Sequence, residues 1–288
     1  MTQDHTTIIA EIGENHCGNW DRARKMVIAA ARAGVDIVKF QSYRGCDVAE
    51  DDPEREWFTN VQLPDELYDR LRDLAKAQGV SFLSSPFTVE RARFLCEQVG
   101  LNAIKIASSE MSNRALLAYV NRHAETVYLS TGMAMLDEVR DAVAQLSDVP
   151  RVVIMHCVTQ YPTKDEEANL RAITALRQAF PEHPIGYSDH TLGWLAPLAA
   201  VTLGAVVIEK HFTLDKSLPG TDHILSVTPE ELRDMVLRIR QLEQLLGHGE
   251  KRPGPGELAI REMVRSRFAK KAQASQEPRL AASPTSPS

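Results

Sequence analysis

Eight short apolar runs recur along the chain, and the stretches between them carry apolar residues at helical spacing. The runs cover residues 7–13, 36–41, 81–87, 103–108, 127–132, 152–157, 185–190 and 206–212. Their interiors are nearly continuous in apolar residues rather than alternating, which predicts parallel strands buried on both faces. The intervening stretches carry helix signals. Asn19 is placed to cap a helix that shows Ala23, Met26, Val27 and Ala30 on one face and stops at Gly34. Thr228-Pro229-Glu230-Glu231 predicts a capping box with proline at the first helical position, followed by an apolar stripe from Leu232 to Leu246 and a stop at Gly247. Residues 191–204, rich in alanine and leucine, predict a helix between two strands. The stretch 42–63 predicts an unusually long loop, either an active-site loop or partial lid, or a surface excursion. Eight such units predict an α/β fold, a (β/α)₈ TIM barrel over residues 1–265. A doubly wound open sheet is the alternative. Residues 266–288 turn polar, proline- and serine-rich, and predict a disordered tail.

Composition narrows the function classes. The 288 residues hold 43% hydrophobic and 25% charged side chains, ordinary values for a globular protein. A net charge of −6 gives no support to nucleic-acid or membrane-surface binding, which favour a basic stripe. A local positive site for acidic or phosphorylated substrates remains compatible with it. No secretory signal and no apolar run long enough for a membrane helix are visible, so a cytoplasmic protein is expected. Cys17, Cys46, Cys96 and Cys157 lack C-x-x-C spacing and read as reduced bystander thiols.

The strand ends hold the candidate chemistry, because barrels of this class build their sites there. His190 and His211 each close a predicted strand, with one helix between them. A strand–helix–strand unit makes those strands parallel neighbours, so both imidazoles emerge at the same end and can grip a divalent metal, with Asp222 and Glu209 nearby. His16, His156 and His223 are weaker candidates. The other strand ends offer Glu11, Gln41, Ser108 with Ser109 and Glu110, Ser130, Thr159 with Tyr161, Ser188 with Asp189, and Lys210. Lys39 and Lys105 lie inside apolar strands, where a charge is costly without a partner or a purpose. They form either an anion cradle with the serines and the backbone near Gly132, or buried ion pairs with Glu11 or Glu209.

Taken in order, these segments resemble the N-acetylneuraminate (sialic acid) synthase family. The matching motifs are Ile9-Ala10-Glu11-Ile12-Gly13 with Asn15-His16, Val38-Lys39-Phe40-Gln41, Ser84-Ser85-Pro86-Phe87, and Ile104-Lys105-Ile106-Ala107-Ser108 with Glu110. They continue through Leu129-Ser130-Thr131-Gly132-Met133, His156-Cys157, Tyr161-Pro162-Thr163, Ser188-Asp189-His190-Thr191, Ile208-Glu209-Lys210-His211-Phe212 and Asp222-His223. The resemblance implies a metal-dependent condensation of phosphoenolpyruvate with an N-acetylmannosamine-like aldose, giving a 2-keto-3-deoxy sugar acid and phosphate. It implies Lys39, Lys105, Ser108, Ser130, Tyr161 and Ser188 at the phosphoenolpyruvate site. Glu11, Glu110 and Asp222 then fall at the reacting centre, Gln41 and Thr159 around the sugar, and His190 and His211 on the metal. Manganese is the expected metal, with magnesium or cobalt as alternatives, and a homodimer is the expected assembly. Two alternatives stay open: the same condensation on a different aldehyde, in secondary metabolism or surface polysaccharide synthesis, and a non-catalytic barrel subunit. The chain departs from the family pattern at Glu14, Cys17 and Thr159. After Val264–Phe268, which resembles a linker into the family's small antifreeze-like domain, the reading expects only the tail.

Overall fold

Why the strand runs are apolar throughout becomes plain once they are assembled, for each is covered on both sides. The computed structural model describes residues 5–267. β1 (Thr7–Gly13) is followed by α1 (Trp20–Ala33), β2 (Ile37–Ser42) by α2 (Arg55–Val61) and α3 (Glu66–Ala77), and β3 (Ser81–Pro86) by α4 (Val89–Arg93). β4 (Ala103–Ile106) leads to α5 (Arg114–His123), β5 (Thr126–Ser130) to α6 (Leu136–Ala144), and β6 (Arg151–Cys157) to α7 (Ala172–Ala179). β7 (Ile185–Asp189) leads to α8 (Leu195–Thr202), and β8 (Val207–His211) to α9 (Pro229–Leu246). The strands pair in parallel in the order β3-β2-β1-β8-β7-β6-β5-β4. β3 and β4, at the two ends of that order, lie side by side. First and last strands are therefore neighbours, and the sheet is a barrel rather than the doubly wound alternative.

Two apolar layers hold it. Outward-facing Ile8, Ala10, Val38, Phe40, Ile104, Leu129, Ile154 and Ile208 pack under the helices. Inward-facing Ile9, Ile37, Leu83, Tyr128, Val153, Met155 and Val207 fill the lower interior. Gly186 has no side chain because a Cβ there would meet Val207 and Met155 on the two neighbouring strands. Above this plug the inward positions turn polar, and the side chains described below stand on that layer.

The helix signals act as predicted at the best-marked ends. Asn19 accepts a hydrogen bond from the Arg22 backbone, Gly34 closes α1 with φ of 94°, and Thr228 and Glu231 form the reciprocal box that starts α9. Two expectations need correction. α8 begins at Leu195, not near Thr191, because Asp189 holds the Thr191 amide and hydroxyl in a turn. The long stretch after β2 contains α2 and a 3₁₀ turn at Gly45–Asp47.

The unit formed by Met1–Gly247 holds all eight strands, and a second unit begins at His248. α10 (Pro255–Ser266) belongs to the second, so the predicted boundary at residue 265 falls inside a helix. Most of the predicted tail, residues 268–288, lies outside the described residues. No helix among the described residues is long and apolar enough to cross a membrane.

Candidate active site

At the C-terminal ends of the strands a cavity of about 410 Å³ opens above the apolar plug. Its floor is a buried charge network drawn from four strands. Lys39 Nζ lies 2.9 Å from Glu11 and 3.6 Å from Glu209, and Lys105 Nζ lies 3.7 Å from the same Glu209 oxygen. The ion-pair reading of both lysines is thus realised, but within the cavity wall, so that both ammonium ends line the cavity. Lys39 donates to Ser85 Oγ at 3.1 Å, Lys105 to Ser130 Oγ at 2.7 Å, and Ser188 donates to Glu209 at 3.1 Å. Burial alone would raise the Glu209 carboxyl, but Lys105, Lys39 and His211 outweigh it and hold it down at about 2. Burial pushes Glu11 up, against the opposing pull of Lys39. Burial and the charge of Lys39 lower Lys105, although Glu209 opposes them. One second oxygen on each of Glu11 and Glu209 is buried without a hydrogen-bond partner, so the network is incomplete and leaves room for a polar guest.

Beside the lysines the backbone comes close. The Gly132 amide donates to Ser108 Oγ at 3.0 Å, and a Cβ at Gly132 would run into both Ser108 and Thr159. Only glycine lets these three strand ends converge there.

His190 and His211 form the opposite wall, their ring centres 5.2 Å apart and Tyr161 4.0 Å from His190. His190 Nδ1 sits 2.7 Å from the Val158 carbonyl, which places the proton on that nitrogen and leaves Nε2 as a lone-pair donor. His211 Nδ1 lies 3.1 Å from an Asp222 oxygen, without hydrogen-bond alignment, and is otherwise unpartnered. Burial would lower His211, but Asp222 and Glu11 outweigh it and raise the ring. The surroundings therefore favour positive charge at this point. No group of three or more His, Cys, Asp or Glu among the described residues forms a ready metal cage. Two imidazoles with an oriented tautomer, beside carboxylates, fit a divalent cation that keeps open positions for water or substrate.

The rim comes from loops. Glu14, after β1, accepts a 2.6 Å hydrogen bond from the indole of Trp57 on α2. Burial raises its carboxyl to about 7, with Asp222 and Glu54 adding to the effect and Trp57 opposing it. Glu54, Phe58, Thr221 and Asp222 complete this side. The stretch after β2 is thus part of the site and not a surface excursion.

Glu11, Lys39, Gln41, Lys105, Ser108, Ser130, Thr159, Tyr161, Ser188, His190, His211 and Asp222 all line the cavity, as expected from the sequence. Glu110 does not. The 3₁₀ turn Ser108–Glu110 carries it away, and its carboxylate accepts from Asn113, the N-cap of α5. Asp189 and Lys210 also leave the site, since they occupy outward positions and pair with each other at 2.7 Å, fully buried. His156 is likewise outward, bonded to the Ala168 carbonyl. His16 holds the Gly18 amide and His223 the Thr213 hydroxyl. Ser85 and Cys157 line the cavity although they are not among the candidates at the strand ends, and Glu14, the departure from the family pattern in the first loop, lines it as well. For Cys157 the inward parity shared with Val153 and Met155 was the available signal.

Comparisons with known proteins bear on the chain as a whole. A model of the NeuB family matches residues 26–251. The chain is 40% identical to an N,N'-diacetyllegionaminic acid synthase of Legionella pneumophila, over 90% of this chain and 78% of that protein. It is 32% identical to a human N-acetylneuraminate-9-phosphate synthase, over 89% and 76%. The fold superposes on a crystal structure of an N-acetylneuraminic acid synthetase from Leptospira borgpetersenii with a TM-score of 0.86 and 33% identity, covering 91% of this chain and 92% of that one.

Proposed function

The chain belongs to the NeuB family of phosphoenolpyruvate-dependent, sialic-acid-type synthases, and from that premise we propose that it condenses phosphoenolpyruvate with an N-acetylmannosamine-like aldose in a metal-dependent reaction. The observation that carries this reading is the convergence, in one cavity, of two buried lysines on the floor and two imidazoles on the wall.

Phosphoenolpyruvate brings a carboxylate and a phosphate. Lys39, which Glu11 and Glu209 hold charged against its burial, and Lys105 offer hydrogen-bond donors in a dry setting, and Ser108, Ser130 and Ser188 add hydroxyl donors. A divalent cation on His190 and His211, manganese first, with magnesium or cobalt as alternatives, would polarise the aldehyde oxygen. The sugar enters above the floor, between Gln41, Thr159 and the rim. C3 of the enol then forms the new bond to the aldehyde carbon; the proton that the aldehyde oxygen gains is balanced by the one that water releases to Glu11 on adding to C2, and the remaining hydroxyl proton at C2 departs with the phosphate. Asp222 stands beside His211 to steady the positive charge there. The positive charge that develops at C2 faces Glu11 and Glu209. Glu11, whose carboxyl burial has raised, is suited to take the proton of the water that adds to C2. Loss of phosphate from C2 leaves the ketone. Lys39 and Lys105 serve as charge partners in this scheme and form no Schiff base.

The test is phosphate release from phosphoenolpyruvate with manganese, run across a panel of aldoses. Release that depends on N-acetylmannosamine supports the reading. Release only with another aldehyde keeps the chemistry and changes the acceptor. No release with any acceptor, in protein that binds phosphoenolpyruvate, refutes it in favour of a non-catalytic barrel. Chelation should abolish turnover and added manganese restore it, and His190→Ala should lose both metal and activity. Full activity in metal-free protein would remove the cation from the mechanism.

A further inference from the structure

Names within the family include both free and phosphorylated sugar acids, so membership leaves open whether the acceptor carries a phosphate. The charges on the cavity wall bear on that question. Among the described residues that line it, the only ammonium groups are Lys39 and Lys105, and no arginine lines it. Both lysines are strand residues on the floor, each about 3% exposed. On the reading above, phosphoenolpyruvate occupies both. Two further phosphate-seeking groups are not available higher up, for the rim above them is acidic. Glu14 follows β1, Glu54 precedes α2, and Asp222 follows β8, so three separate loops each bring a carboxylate to the same opening.

The arrangement is built rather than incidental. The indole N–H of Trp57 holds Glu14 at 2.6 Å. The same indole ring lies against Gly220, where an added Cβ would come within 3.1 Å of it. Trp57 therefore ties the β1, β2 and β8 loops together and fixes Glu14 on the side through which the sugar arrives. Above the value of about 7 to which burial raises Glu14, a phosphate dianion on the far end of an aldose would meet like charge there and find no further lysine or arginine among the described lining residues to offset the water it sheds. A hydroxyl or acetamido group meets good hydrogen-bond partners instead.

We propose, on the condensation reading, that Glu14 is a specificity-determining residue which, held by Trp57 beside Glu54 and Asp222, selects an uncharged aldose and rejects its phosphorylated counterpart.

The experiment uses the full chain at pH 8, where Glu14 is ionised, with phosphoenolpyruvate and manganese, and matched acceptor pairs: N-acetylmannosamine with its 6-phosphate, mannose with its 6-phosphate, arabinose with its 5-phosphate. For whichever pair turns over, kcat/KM for the uncharged member should be higher by at least about tenfold, the scale of one like-charge contact. Glu14→Gln retains an acceptor for the Trp57 N–H and should narrow the ratio by lowering KM for the phosphorylated sugar alone. Glu54→Gln, on the exposed edge, is the second variant and should act in the same direction should the first fail to fold. Equal or better use of the phosphorylated sugar overturns the selection while leaving the condensation reading intact. So does a ratio that neither variant moves. Turnover of neither member of any pair, in protein whose unfolding temperature rises with phosphoenolpyruvate, overturns the condensation reading and this inference with it.

Discussion

Glu209 is a single carboxylate shared by two ammonium groups, and the arrangement makes the lysines unequal to replace. In Lys105→Met, Glu209 keeps only Lys39 at 3.6 Å, and Ser130 loses its donor at 2.7 Å. Removal of one charged hydrogen-bonding group from a dry anion site costs on the order of 3 kcal/mol, so kcat/KM for phosphoenolpyruvate should fall by about 100-fold. The thermal shift produced by phosphoenolpyruvate should fall with it. Glu14 supports a pH prediction. Its carboxyl is raised from 4.5 to about 7 in the fold, chiefly by burial. Folding therefore favours the protonated form, and the penalty is absent below about 4.5, grows as pH rises, and is complete above about 7. Glu14→Gln should match the parent in unfolding temperature near pH 4.5 and exceed it by a few degrees at pH 8; calorimetry across that range checks the sign. Lys39, Lys105, His190 and His211 were legible in the sequence because a polar group in an apolar strand calls for a reason. Lys210 and Asp189 look the same on that criterion and answer each other on the outer face. What separates them from Lys39 is the parity of inward positions, which is hidden when both faces of a strand are apolar.

Elements with strong punctuation show their bounds in the sequence, and those without it do not. Asn19, Gly34 and the Thr228–Glu231 box bound their helices where the sequence indicated. Thr228→Ala removes a hydroxyl that accepts from the Glu231 amide, and should cost about 1 kcal/mol of stability, measured as a lower urea midpoint with an unchanged slope. α2 escaped notice because it is seven residues long, lies just after Asp-Asp-Pro and starts at Glu54 without a side-chain cap. Its importance is positional, since it delivers Trp57 and Phe58 to the opening. Glu110 shows the converse error. It stands two residues past a site serine, but a single 3₁₀ turn between them rotates it out of the cavity and onto the cap of α5.

At the scale of the molecule, barrel and family were both legible, the first from eight repeated units and the second from motifs spaced along nearly all of them. The extent of the first unit rests on contacts rather than on pattern: they end it at Gly247, and α10 falls in the segment after it. With every strand and both apolar layers inside Met1–Gly247, a protein ending at Gly247 should unfold in one cooperative urea transition; a broad or stepwise transition would show that more of the chain is needed. The plug of Ile9, Ile37, Leu83, Tyr128, Val153, Met155 and Val207 has a consequence for traffic. It closes the barrel from below, so the cavity is a blind bore with one door. Whatever binds deepest must enter first and leave last, and a sugar that arrives early stands in the doorway. High sugar concentrations should accordingly slow the reaction, and extra phosphoenolpyruvate should relieve the queue.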